Sequence, residues 1–399
     1  MGNPYVHRSM LTTSQMFFGR REELGLIFNL LEGKQSISVV GERRIGKSSL
    51  LYCLSLPDIQ ARLGKSLQDG YIYVYADLSQ YTNADPPAFF GSILGIMKKK
   101  ARKWIRRKAE AAVEPELFSD VITDLSEKGI TTVLLLDEFD SVASNHKFDI
   151  DFYNYLRSLA NANKLCYVTA SKERLVNLCH LSVASSPFFN ICVSVPLGLL
   201  DRQSAIDLIQ RPSLEAGLPL TDDVDLVLKQ AGRHPFLIQM FCFYLFSQKA
   251  AGGKLYQTLA LDLFRQEATD HFRNFWLKLG REDQSHFLEF ARQPTDLVPP
   301  SALLDSSACR EFVALQKVQS DAPEPEIGSI EASPEPPTRK RRIVRIVIAT
   351  VCSATVIALV LLAIYLDPIQ GVQGLIFLVI PALFGVIGIR ELVRRRSKK

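Results

Sequence analysis

Between residues 36 and 195, short apolar runs alternate with longer amphipathic stretches. Ser36–Val40, Tyr71–Tyr75, Thr131–Leu136, Leu165–Thr169 and Ile191–Val195 are rich in β-branched and aromatic residues and bounded by turn signals, as buried strands would be. Helical periodicity fills most of the gaps. This alternation predicts a parallel sheet covered on both faces. An amphipathic helix through Leu31 precedes the first run. From about Asp201 the strand pattern stops, and Ser204–Ile209, Asp222–Gln230, Phe236–Ser247 and Leu259–Leu279 carry helical periodicity instead. A last such helix runs over Asp283–Arg292, followed by an ill-defined stretch to Lys317.

The pattern then changes twice more. Val318–Pro337 is rich in Pro, Glu and Ser and too poor in large apolar residues to fold, which reads as an extended acidic linker. Ile346–Leu366 and Gly371–Ile389 are uncharged spans, each about long enough for a hydrocarbon core near 30 Å thick. Asp367-Pro368-Ile369-Gln370 forms a polar turn between them, and Pro381 is tolerable inside a membrane helix. Basic flanks at Arg339–Arg345 and Arg394–Lys399 predict that both ends of this hairpin face the cytoplasm. The expected organisation is 14–200, an α/β core; 201–317, a helical region; 318–342, a linker ending in a basic cluster; 343–389, a transmembrane hairpin in the lipid bilayer; and 390–399, a basic tail. The expected location is the cell's inner membrane.

Composition adds limits. The 399-residue chain is 47% hydrophobic and 22% charged with a net charge of +5, too little to argue a general affinity for nucleic acid. Its cysteines form no C-x-x-C pair and no zinc spacing, and most lie in apolar runs where a thiol acts as a small hydrophobe. A reduced cytosolic main domain follows, and the N-terminus shows no signal-peptide pattern. The Lys98–Lys108 run contains no acid; it reads as a solvated helix face, or as a contact for anionic headgroups or for the phosphates of a nucleic acid.

The chemistry concentrates at Gly41-Glu42-Arg43-Arg44-Ile45-Gly46-Lys47-Ser48, which matches G-x-x-x-x-G-K-[ST] after a strand and before a helix that continues through Ser49. Gly41 and Gly46 let the loop curl so that backbone N–H groups, that of Arg44 among them, turn toward phosphates. Lys47 would reach the β- and γ-phosphates of ATP, and the Ser48 hydroxyl would ligate Mg²⁺. A second motif, Val133-Leu134-Leu135-Leu136-Asp137-Glu138, ends a strand in two acids. Asp137 would hold Mg²⁺ through water, and Glu138 would polarise an attacking water. Asp140 reads as a surface or capping residue. Thr169 or Ser171, at the end of the Leu165 strand, could sense the γ-phosphate, while Ser171 could equally cap the next helix.

These motifs resemble the STAND and AAA-like ATPases, relatives of the origin-recognition type of AAA+ protein. Phe17-Phe18-Gly19-Arg20 with Glu23-Leu24 is similar to the family's hydrophobic-Gly-Arg box, which implies that Phe18, Gly19 and Arg20 lie over the adenine. Ser186–Asn190 and Arg211-Pro212 resemble segments flanking the last core strand. Gly232-Arg233-His234-Pro235 resembles the Gly-x-Pro region of a helical lid, which implies that Pro235 approaches the nucleotide; Arg233 stands where a second glycine is usual. The resemblance covers residues 14–290 and lacks a complete winged-helix domain and a Thr-x-Arg strand ending, for which Lys172 or Arg174 would have to serve. It implies a P-loop NTPase with a parallel sheet flanked by helices and an all-α lid, acting as a switch that forms homo-oligomers; the two transmembrane helices expected after it rest on the apolar spans alone. A tethered nucleic-acid-handling ATPase and a non-hydrolysing nucleotide scaffold are the rival expectations.

Overall fold

Each strand of the core is apolar on both sides, and its surroundings show why. In β3 (Thr131–Asp137), Val133 and Leu135 point to one face of the sheet and Leu134 and Leu136 to the other, and all four are fully buried. In the computed structural model, which describes residues 2–317 apart from 64–69, 101–114, 163, 180–182, 184–185, 253 and 294–298, β3 sits inside a five-stranded parallel sheet of order β2-β3-β4-β1-β5. The others are β1 (Ser36–Val40), β2 (Tyr71–Asp77), β4 (Leu165–Ser171) and β5 (Cys192–Pro196). All five lie within two residues of the predicted bounds. The edge strand β5 pairs only with β1 and ends at Pro196, a position where a missing N–H breaks no ladder.

Helices cover both faces. α1 (Arg21–Glu32), α2 (Lys47–Leu54) and α3 (Pro57–Arg62) pack with Ile37, Val39, Val133, Leu135 and Val168. On the opposite face, α4 (Pro86–Lys100), α5 (Pro115–Glu127) and α7 (Ile150–Asn161) enclose an aromatic cluster of Phe89, Phe90, Phe148 and Phe152. Short helices α6 (Asp140–Ala143) and α8 (Leu175–Leu178) close the ends of β3 and β4. Cys53 and Cys166 are buried free thiols in these cores, as their apolar neighbours predict.

Among the described residues the last strand ends at Pro196. Asp201 caps α9 (Arg202–Glu215) by accepting from Ser204 N at 2.8 Å, and α10 (Val224–Ala231), α11 (Pro235–Ala250), α12 (Tyr256–Trp276) and α13 (Arg281–Arg292) follow. They enclose a separate core centred on Leu237, Phe241, Leu245 and Phe264. Two features differ from expectation. The stretch before Lys317 contains a 3₁₀ turn over Ala302–Asp305 and a helix α14 (Ser307–Ala314), capped by Ser306 and packed into this core through Cys309 and Val313. The N-terminal residues also belong to it. Tyr5 is buried there, its hydroxyl donating to Ile209 O, while Asn3 Nδ2 donates to Phe243 O at 2.8 Å and Val6 N to Gln239 Oε1 at 3.1 Å.

Contacts divide the chain into Met1–Gln319 and Ser320–Lys399. The linker, the hairpin spans and the basic tail expected from the sequence lie outside the described residues, as does most of the Lys98–Lys108 run. Among the described residues, no helix is long and apolar enough to cross a membrane.

Candidate nucleotide site

The loop between β1 and α2 has the shape its sequence requires. Arg44 and Gly46 both take positive φ (66° and 106°), which curls the chain before Lys47 opens the helix. Gly41 has no room for a side chain, since a Cβ there would lie 2.5 Å from Leu197 O. Inside the curl, Lys47 is buried, and its ammonium donates to Gly41 O at 2.7 Å and Glu42 O at 2.9 Å. Burial lowers its pKa, and the nearby carboxylates of Glu138, Asp140 and Asp137 oppose that shift. The charged Lys47 is therefore held by weak carbonyl partners that an anion's oxygens would replace.

Across from it, β3 ends at Asp137 and Glu138. Asp137 is nearly fully buried and both its oxygens are held: Oδ1 accepts from Glu138 N at 3.0 Å and Oδ2 from the Tyr75 hydroxyl at 2.8 Å. Burial first, then the Asp137 charge, pushes the Tyr75 pKa up, so the phenol keeps its proton and donates. Glu138 adopts φ 51°, unusual for a residue with a Cβ, and lines the cavity beside Lys47 and Ser48. Asp140 is the first residue of α6 and accepts from Lys172 N at 3.2 Å, but its side chain does not cap the helix.

A cavity of about 280 Å³ lies over the loop, lined by Ile45–Ser49 and Glu138 on the core side and by Pro235, Phe236 and Gln239 of α11 on the helical side. Phe17, Phe18 and Arg20 of the N-terminal box also line it. Arg8, Arg20, Arg43, Arg44 and Lys47 against one acid, Glu138, make its charge suit a polyphosphate, and its aromatic residues suit a base. The oxygen donors Ser48 and Asp137 suit Mg²⁺, which takes few protein ligands beside phosphate oxygens.

Several site residues take more specific places than expected. Arg20, which the resemblance places over adenine, is buried and donates to Ile45 O, Gly198 O and Leu199 O and to Glu23 Oε1, so it ties the box to the loop and to the chain after β5. Gly19 and Arg20 form the left-handed turn before α1 (φ 72° and 61°). The Ser49 hydroxyl accepts from Leu11 N at 3.0 Å. Thr169 and Ser171 are fully buried, and their hydroxyls donate to Ile37 O and Glu173 O; neither is among the described residues lining the cavity. β4, which carries both residues, lies between β3 and β1. His234 is fully buried, and burial followed by the Arg20 charge lowers its pKa to about 3, so it is a neutral core residue.

Residues outside the motifs also border the site. The N-terminal strap runs from the helical core across the cavity, through Val6–Leu11, to Ser49 and Tyr75. Its His7 Nε2 lies 3.2 Å from Glu267 Oε1 of α12. Arg44 of the loop stacks over Phe236 at 4.2 Å and reaches His271 Nδ1 at 2.6 Å, a second bridge to the helical side. Glu42 accepts from Ser301 Oγ at 2.9 Å and Ala302 N at 2.8 Å, which anchors the segment before α14 to the loop.

Residues 32–293, most of the core and helical region, match the family described as Novel STAND NTPase 2. The chain belongs to that family. The fold also aligns with the Walker-type ATPase PABY2304 of Pyrococcus abyssi at 15% identity, with a TM-score of 0.55, over 77% of this chain and 99% of that one. Weaker alignments include the ORC2 protein of Aeropyrum pernix in ADPNP–ADP complexes (12% identity, TM-score 0.48, 72% of this chain and 77% of that one). The ORC1 protein of the same organism in complex with DNA is another (14%, 0.43, 69% and 72%). No curated protein matches the chain. This Novel STAND NTPase 2 member therefore has an α/β P-loop NTPase fold with a five-stranded parallel sheet flanked by helices.

Proposed function

We propose that this chain is a membrane-anchored, ATP-hydrolysing regulatory switch. The observation that carries the reading is one cavity lined jointly by the P-loop, Glu138, the first turn of α11 and the N-terminal strap. A ligand that fills it touches core and helical region together, so it binds one relative arrangement better than another. The adenine would lie among Phe17, Phe18, Pro235 and Phe236, with the phosphates in the curl around Lys47. When bound through Ser48 and Asp137, Mg²⁺ supplies charge neutralisation at the β- and γ-phosphates. Glu138 accepts the proton of a water whose oxygen attacks the γ-phosphorus; the bond to the β–γ bridging oxygen breaks, and ADP and phosphate leave. Product release then frees α11 and the strap from the loop.

Anchoring rests on the two apolar spans in 343–389 and on their basic flanks, Arg339–Arg345 and Arg394–Lys399. Family resemblance adds self-assembly, which on a membrane would be favoured by confinement. Among the described residues nothing favours nucleic acid as a partner: of the basic run, Lys98–Lys100 are described, and Lys100 donates to Tyr73 O at 3.0 Å. The test is fractionation of the full chain with turnover measured alongside. The chain should stay with membranes through alkaline carbonate extraction, a chain truncated after Lys317 should be released, and turnover per molecule should rise with chain density in vesicles. Release of the full chain by carbonate would refute the anchor; turnover independent of density would refute the assembling switch.

A further inference from the structure

We infer that Tyr75 is a positioning residue for the metal-holding carboxylate, Asp137; the inference rests on the Mg²⁺–ATP reading of the site. Parallel pairing sets Tyr75 opposite Leu135 and Asp77 opposite Asp137. Tyr75 and Asp137 therefore share the sheet face that packs on α2, one strand apart and two residues along. The Tyr75 ring is fixed there edge-on against Tyr52 of α2, with centroids 5.6 Å apart and planes at 75°. From that seat its hydroxyl lies 2.8 Å from Asp137 Oδ2 and 3.3 Å from the Met10 thioether of the strap. A phenol has one proton, and a carboxylate accepts it far better than a thioether does.

Asp137 is thus held by two donors at once, the Glu138 amide on Oδ1 and Tyr75 on Oδ2. The first is local backbone and follows from the turn after β3. The second comes from another strand and fixes the plane of the carboxylate. A carboxylate oxygen can accept more than one bond, so each keeps capacity for a metal-bound water. A carboxylate that acts on a metal through water gains from such fixing, because its own rotation would otherwise blur the position of every water it orders. Outer-shell donors of this kind typically matter to metal affinity by about 10- to 100-fold.

The experiment compares wild type with Tyr75→Phe and Asp137→Asn in the full chain. Phenylalanine keeps the ring and its contact with Tyr52 and removes only the hydroxyl. ADP affinity is measured in EDTA, and Mn²⁺ affinity of the ADP complex by electron paramagnetic resonance. In Tyr75→Phe, the Mn²⁺ dissociation constant should rise roughly tenfold with ADP affinity in EDTA unchanged. An unchanged Mn²⁺ constant would overturn the inference, and so would a parallel loss of ADP affinity in EDTA, which would mean a merely structural role. If Asp137→Asn also binds Mn²⁺–ADP like wild type, the underlying reading of the metal site fails instead.

Discussion

Glu138→Gln should retain ATP and lose turnover by about 100-fold or more, within the range that removal of a general base produces. The substitution keeps the size of the side chain and removes its ability to accept a proton. Its position argues for the effect. Glu138 follows the strand that delivers Asp137, and it is held in the left-handed region at φ 51°. A residue with a Cβ takes that conformation at a cost of the order of 1–3 kcal/mol, which the surrounding structure must offset. Here the offset includes the bond from its own amide to Asp137 and that from Phe139 N to Ala170 O at 3.0 Å. The conformation points the carboxylate into the cavity that contains Lys47 and Ser48. Phosphate release and equilibrium ATP binding, measured on the same preparation, check the prediction. Turnover within threefold of wild type would assign the base elsewhere.

Gly232→Ala should destabilise the protein by about 2–4 kcal/mol, through strain and overlap together. Gly232 ends α10 at φ 60°, ψ −150°, a conformation open to glycine and hardly to other residues. A Cβ there would also lie 2.7 Å from the backbone carbon of Asp305 and 2.8 Å from its oxygen. Those atoms cannot give way without moving the turn over Ala302–Asp305. That turn holds two contacts at once. Asp305 accepts from Arg233 N at 2.7 Å, and Ser301 with Ala302 holds Glu42 of the P-loop. Displacing it should therefore loosen the loop as well as the helical region, so ATP affinity should fall alongside the urea midpoint. A variant of normal stability would show that this segment adapts freely. Arg233, at the position where the family resemblance implied a glycine, has a contact of its own there: its side chain reaches both oxygens of Asp305, at 3.3 and 3.4 Å.

The parts of the molecule legible in the sequence are those with local periodicity or local spacing. β1 through β5 carry apolar runs that announce themselves, and Gly41–Ser48 needs only its own eight residues to be recognised. What stayed hidden depends on partners far along the chain. Asn3 to Val6 have no periodicity, and their place is set by α11 residues some 240 positions away, Phe243 and Ser247. α14 is a short helix whose cap, Ser306, also donates to Gln230 O, so it forms by docking more than by propensity. Arg20 reads as a ligand residue from its motif, but it is buried, and its donors are taken up by Glu23 and three backbone carbonyls. Tyr75 is one aromatic among three on β2, and its relation to Asp137 emerges only from strand order and register.

The central claim is that this cavity binds ATP through the P-loop lysine. The most direct test is calorimetric titration of Mg²⁺–ATP into the full wild-type chain and into Lys47→Ala. One site per chain is expected for wild type, with affinity reduced roughly 100-fold or more in the variant, equivalent to about 2.7 kcal/mol. Equal affinity in both, or no binding by wild type, would contradict the account.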